Sequence, residues 1–199
     1  MIVVSTDYDR LTTILAEFAA ELESYDAEVR VLKKANSLEL ENLLSSLTTS
    51  IIFFGHGRID PPRLLDQDQA ALWDNKIAAL LEQRVLYGNA CHSLEALAGF
   101  GLARIGFSGK LEVHDDQGYY AAQRECILAG PRALLSGKTA AEAAEQSKQA
   151  FLSKQRELFH GSFGDSVIAT LIFKPNADRI AFTGDGSARA RNGGNGAPK

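Results

Sequence analysis

Ser50-Ile51-Ile52-Phe53-Phe54-Gly55-His56-Gly57 and Val85-Leu86-Tyr87-Gly88-Asn89-Ala90-Cys91-His92-Ser93 are two short apolar runs, each closed by small or polar residues and each delivering one reactive side chain. Both are rich in β-branched and aromatic residues and are bounded by glycine. They read as strands buried on both faces of a parallel sheet. His56 and Cys91 then stand at strand ends.

Open α/β sheets place their sites just beyond the carboxyl ends of the strands, so neighbouring strands can present a histidine and a cysteine to one another across a shared crevice. A free thiol is mostly protonated at neutral pH. An adjacent imidazole raises its thiolate fraction and can later protonate a leaving amine.

The flanking sequence supplies the rest of such a sheet. Ile2-Val3-Val4 predicts a first strand ending near Ser5, with turn and cap residues in Thr6-Asp7-Tyr8-Asp9. Leu11, Ile14, Leu15, Phe18, Ala19 and Leu22 recur at helical spacing. Residues 27–32 read as a second strand, and Ser37 as the cap of a helix carrying Leu40, Leu43, Leu44 and Leu47. This β-α-β-α-β order predicts an α/β fold with a doubly wound, mostly parallel six-stranded sheet flanked by helices. The pair Pro61-Pro62 makes 58–66 a loop over the crevice, and Leu72, Trp73, Ile77, Leu80 and Leu81 predict a helix over 70–83.

Beyond Cys91 a short helix is expected, then a fifth strand over 103–107, with Glu112, His114, Asp115 and Asp116 following it toward the crevice. Residues 118–129 read as a helix interrupted at Gly130-Pro131. Thr139 and Glu142 form a capping box that opens a helix reaching about Phe159. The β-branched stretch 166–173 reads as a strand, Lys174-Pro175-Asn176 as a turn, and 179–182 as the return strand or an antiparallel sixth strand. Glycine, alanine, asparagine and arginine then dominate, so 185–199 is expected as a flexible tail behind one domain, 1–184.

A chain of 199 residues, 45% of them hydrophobic, can bury one good-sized core. The net charge of -4 argues against a nucleic-acid footprint, and the lack of a membrane-length apolar run or charged leader leads to the expectation of a cytoplasmic protein without a membrane partner. Cys91 and Cys126 form no C-x-x-C pair, and histidines 56, 92, 114 and 160 follow no zinc spacing, so neither disulfide, metal nor cofactor is expected. Cys126, beside Ile127 and Leu128, reads as core.

Gly55-His56-Gly57 and Asn89-Ala90-Cys91-His92-Ser93, on consecutive predicted strands and with their reactive residues 35 positions apart, resemble the histidine and cysteine motifs of the caspase-like cysteine peptidases. That group includes caspases, metacaspases, separases, gingipains and bacterial CHAT-type peptidases. Ala98 to Gly109 looks like the CHAT-type continuation after the cysteine. The resemblance implies a thiol endopeptidase acting on a protein or peptide substrate, with Cys91 as nucleophile, His56 as general acid/base, and the Gly57 and Cys91 N–H groups as the oxyanion site. It requires no third residue to orient His56. It also implies regulated proteolysis of one partner protein, as in bacterial defence or cell death, with scope for a regulatory partner. Where metacaspases carry an acid, this chain has Asn89. Asp7, Asp9, Asp115 and Asp116 are the remaining candidates, with Asn89, for substrate binding, and the acids suggest a basic P1 residue. Two other classes fit the same residues: a caspase-like pseudoenzyme used as an interaction module, and a flavodoxin- or receiver-like ligand-binding domain. Against nucleotide binding, the first strand leads into no glycine-rich phosphate loop.

Overall fold

The structure, a computed structural model, describes residues 1–190 other than 27, 48 and 74. The amino-terminal half alternates β1 (Ile2–Ser5), α1 (Arg10–Tyr25), β2 (Arg30–Lys33), α2 (Ser37–Ser46) and β3 (Ile51–Phe54). A small hairpin follows, β4 (Gly57–Ile59) and β5 (Pro62–Leu64), then α3 (Asn75–Leu81), β6 (Val85–Asn89), α4 (Ser93–Ala96) and β7 (Ala103–Phe107). Three helical stretches, α5 (Gln117–Leu135), α6 (Ala140–Phe159) and α7 (Phe163–Ile168), lead through a π-helical turn at Ala169–Phe173 and α8 (Lys174–Arg179) into β8 (Ile180–Gly184).

The sheet order is β2-β1-β3-β6-β7-β8, parallel throughout except for β8, which runs antiparallel along the edge. The unbroken apolar runs are explained by burial on both faces. Val3, Ile52, Phe54, Tyr87 and Ile105 pack toward α1, α5 and α6 with Phe18, Leu128 and Phe151, while Ile2, Val4, Ile51, Phe53 and Leu86 meet Leu40, Leu44, Ile77 and Leu97. At the amino end of the sheet, buried Arg84 donates to the carbonyls of Leu44, Leu47, Thr49 and Leu80, tying α2 and α3 to the entries of β3 and β6. Among the described residues no helix is long and apolar enough to cross a membrane.

Several expected elements differ. Asn36, not Ser37, caps α2. The loop expected over 58–66 is a hairpin, and the helix expected over 70–83 is confined to α3. The second strand begins at Arg30, with Ala27 outside the described residues. Gly130-Pro131 does not interrupt α5: a Cβ at Gly130 would lie 2.5 Å from the Tyr87 hydroxyl, so the helix is pressed onto β6 there, and buried Cys126, Ile127, Leu134 and Leu135 hold it on both sides of the proline. The stretch 166–173 is helical rather than extended. Ser162 and Asp165 form a capping box that starts the run, and Phe173 reaches Phe151, ring centroids 6.3 Å apart. The first part of the expected tail, 185–190, turns back onto α6, where the Ala140 N–H donates to the Ala188 carbonyl at 2.8 Å and Ala188 is buried. The remainder, 191–199, lies outside the described residues.

Candidate active site

The register Ser5–Phe54–Asn89 brings the carboxyl ends of β1, β3 and β6 level. The Gly55 N–H extends the ladder to the Asn89 carbonyl at 3.2 Å, so His56 and Cys91 leave adjacent strands one and two residues past a shared hydrogen bond. Their loops touch. A Cβ on Gly57 would lie 1.9 Å from the Cys91 carbonyl oxygen, an approach that only glycine permits.

Past this point β6 and β7 part, since their pairing covers only Val85–Tyr87 against Ala103–Ile105. Ser93 fills the opening. Its buried hydroxyl donates to the Gly88 carbonyl at 2.8 Å and accepts the Phe107 N–H at 2.9 Å, standing in for the missing rungs of the ladder. Gly88 and Gly106 provide the space, because a Cβ on either would come within 2.6 Å of Ser93. The first residue of α4 is thereby seated on the sheet, which fixes the turn at Cys91 and His92 immediately before it. His92 adopts a left-handed backbone, φ 52°, and its N–H donates to the Gly109 carbonyl.

His56 is held from the other side. Its Nε2 lies 2.7 Å from Oδ2 of Asp9, the N-cap of α1. Asp9 Oδ1 accepts the Thr12 N–H at 2.8 Å, and the Asp9 N–H donates to the Thr12 hydroxyl at 3.0 Å. The capping box that begins α1 thus also aims a carboxylate at the imidazole. Burial pushes the Asp9 carboxyl up, but the bonds from Thr12 and His56 outweigh it and hold the group below the usual carboxylate range. With Nε2–H donated to Asp9, the neutral ring presents Nδ1 as its acceptor. The Tyr8 ring packs against His56 at 5.5 Å between centroids, and burial, with Asp9 and Asp66 nearby, pushes its hydroxyl up to about 12.

Cys91 is half-buried, its thiol 3.8 Å from the Leu111 carbonyl. Among the described residues its N–H meets no acceptor. Gly57 sits opposite Leu64 in the hairpin while the Leu65 N–H donates to the His56 carbonyl, a register that turns the Gly57 N–H outward. Cys126, by contrast, is core, and burial pushes its thiol up to about 12.

The other candidates do not converge on one pocket. Asp7 accepts the Thr13 hydroxyl at 2.6 Å, and its backbone is clasped by the Gln67 amide. Asp116 caps α5 through the Gly118 N–H. Asp115 pairs with Arg10 at 2.7 Å, a bridge running from the β1–α1 turn to the segment after β7. Asn89 is 0% exposed and its amide has no partner among the described residues, so it lines no open surface. Asp9, expected with the substrate-binding acids, is hydrogen-bonded to the imidazole. The D-x-x-T cap was visible in the sequence, but its partner 47 residues away was not. Among the described residues, no three His, Cys, Asp or Glu side chains gather closely enough to hold a metal ion.

No family model and no curated protein matches the sequence. In three dimensions the chain is similar to the Arg-specific cysteine proteinase gingipain R, with a TM-score of 0.53 and 12% identity over 96% of this chain and 47% of that one. A second solved structure, described simply as a protease, gives a TM-score of 0.54 and 12% identity over 96% of this chain and 48% of that one. The chain therefore spans about half the length of the structures it matches. With its six-stranded, mostly parallel sheet between two helical layers, the chain shares the fold of these two structures.

Proposed function

We propose that the chain is a cysteine endopeptidase in which Cys91 is the nucleophile, His56 the general acid/base and Asp9 the residue that positions His56. The observation that carries this reading is the Asp9-held imidazole on a loop pressed against the backbone of the cysteine loop. Nδ1 of His56 takes the thiol proton as Cys91 Sγ bonds to the scissile carbonyl carbon. The oxyanion forms against the N–H groups of Gly57 and Cys91, where fixed donors are worth on the order of 100-fold in rate each. The imidazolium then protonates the departing amine as the C–N bond breaks, leaving a thioester. Water, deprotonated by the same nitrogen, hydrolyses the thioester and restores the thiol.

A basic P1 residue is part of the proposal, with Asp115 as the acid that receives it. Its partner Arg10 is 72% exposed, and exposed pairs contribute only about 0–1 kcal/mol, so a substrate guanidinium or ammonium can take Arg10's place at little cost. The substrate is a specific protein, cut under the control of a regulatory partner in a defence or cell-death setting. A panel of fluorogenic peptides varied at P1 tests this: cleavage after Arg and Lys, abolished in Cys91→Ala, is expected. Undiminished cleavage by that variant contradicts the mechanism, and cleavage only after Asp or small apolar residues contradicts the P1 assignment. A caspase-like pseudoenzyme is the second reading, favoured by the contact of the Cys91 thiol with the Leu111 carbonyl.

A further inference from the structure

His56 forms one wall of a cavity of about 290 Å³ whose other walls are Tyr8, Asp9, Gly57, Arg58, Leu65 and Gln69. The cavity is walled by the β1–α1 turn, the hairpin and His56, the residue that delivers the proton to the departing amine. We infer that it binds the side chain of the residue immediately after the scissile bond, and that this residue is acidic; the inference rests on the peptidase reading.

Three observations carry the charge assignment. Arg58 and Arg63 are direct cross-strand partners in the hairpin, so their side chains share one face, an arrangement that like charges disfavour. Neither makes an ion pair among the described residues, and Arg63 Nε is enclosed without an acceptor. The Tyr8 hydroxyl, which burial keeps protonated, is likewise enclosed without a partner. The acids close by are already committed. Asp9 faces His56, and Asp66 Oδ1 accepts the N–H groups of Asp68 and Ala70. A carboxylate entering beside His56 would meet the Arg58 guanidinium, and a small shift of the Tyr8 ring would add its unpartnered hydroxyl as a second donor. Charge-assisted pairing of this kind discriminates by about tenfold or more against the isosteric amide.

The test is cleavage-site profiling on a proteome-derived peptide library, with wild type, Cys91→Ala, Arg58→Gln and Tyr8→Phe run in parallel. Asp and Glu should be enriched about tenfold over Asn and Gln directly after the bonds cut in a Cys91-dependent way. Arg58→Gln should erase that enrichment while leaving the preference before the bond unchanged, and Tyr8→Phe, which keeps the ring against His56, should reduce it. Cys91-dependent sites with no acidic enrichment, or an enrichment that survives Arg58→Gln, would overturn the inference alone. A library left uncut by wild type would overturn the peptidase reading and the inference with it.

Discussion

Replacing Asp9 with Asn separates the two tasks this residue performs. Asn ranks with Asp as an N-cap and keeps an oxygen for the Thr12 N–H, so α1 should be disturbed by only a few tenths of a kcal/mol. What is lost is the negative charge 2.7 Å from His56 Nε2. A hydrogen bond to a charged group is worth about 1.5–3 kcal/mol. With the Asp9 side chain 45% and the His56 side chain 25% exposed, solvent screening points to the lower end, about 1.5 kcal/mol or roughly a tenfold loss in kcat/KM. The loss deepens if the Asn amide donates to Nε2, because the ring then carries its proton on the nitrogen that should accept one. Asp9→Ala should show at least the same rate loss and in addition cost ~1 kcal/mol of stability through the missing cap. The assay is kcat/KM on one peptide alongside urea unfolding of all three proteins. Asp9→Asn turning over at the wild-type rate would refute the positioning role. The pH dependence has a definite sign: the folded Asp9 carboxyl is held below its unfolded value of about 3.9, so its contribution is complete above that value and lost as pH falls through the folded one. The stability gap between wild type and Asp9→Asn should therefore close on acidification through the carboxylate range.

Ser93→Ala leaves the buried Phe107 N–H without an acceptor where β6 and β7 part, and urea unfolding should show a loss of about 1–3 kcal/mol. Gly57→Ala places a methyl group against the Cys91 carbonyl oxygen; the loops must separate, and kcat should fall by about 100-fold with the far-UV circular dichroism unchanged. Iodoacetamide at pH 8 should modify Cys91 in the folded protein and reach Cys126 only after unfolding, since Cys126 is 1% exposed and its thiol is pushed up to about 12.

The parts of this fold that were legible in the sequence are those where local chemistry and tertiary placement agree. Ile51 to Phe54 and Val85 to Tyr87 are uninterrupted because both faces of the sheet are covered, and Thr139 with Glu142 opens a helix wherever that pair occurs. Stretch 166–173 reads as a strand from its β-branched residues at 167, 168, 170 and 172, but these favour strands only weakly, and the Ser162 cap together with the fit of Phe173 against Phe151 outweighs them. Pro131 likewise breaks helices in isolation, but burial on both sides of it carries α5 through. At the candidate site, the placement of His56 and Cys91 on neighbouring loops was legible because each follows a strand. The contacts of Asp9 and Ser93 were not, because both residues act through partners distant in sequence: Asp9 reads as a turn or cap residue until α1 is laid beside β3, and Ser93 as part of a short helix until the gap between β6 and β7 is seen.

The proposed mechanism makes Cys91 a nucleophile activated by His56. It is tested most directly by incubating the folded protein with a peptidyl chloromethyl ketone carrying a basic P1 residue and mapping the adduct by mass spectrometry. One adduct is expected, on Cys91, formed markedly more slowly in His56→Ala. An unmodified Cys91, or labelling at an unchanged rate without His56, would contradict it.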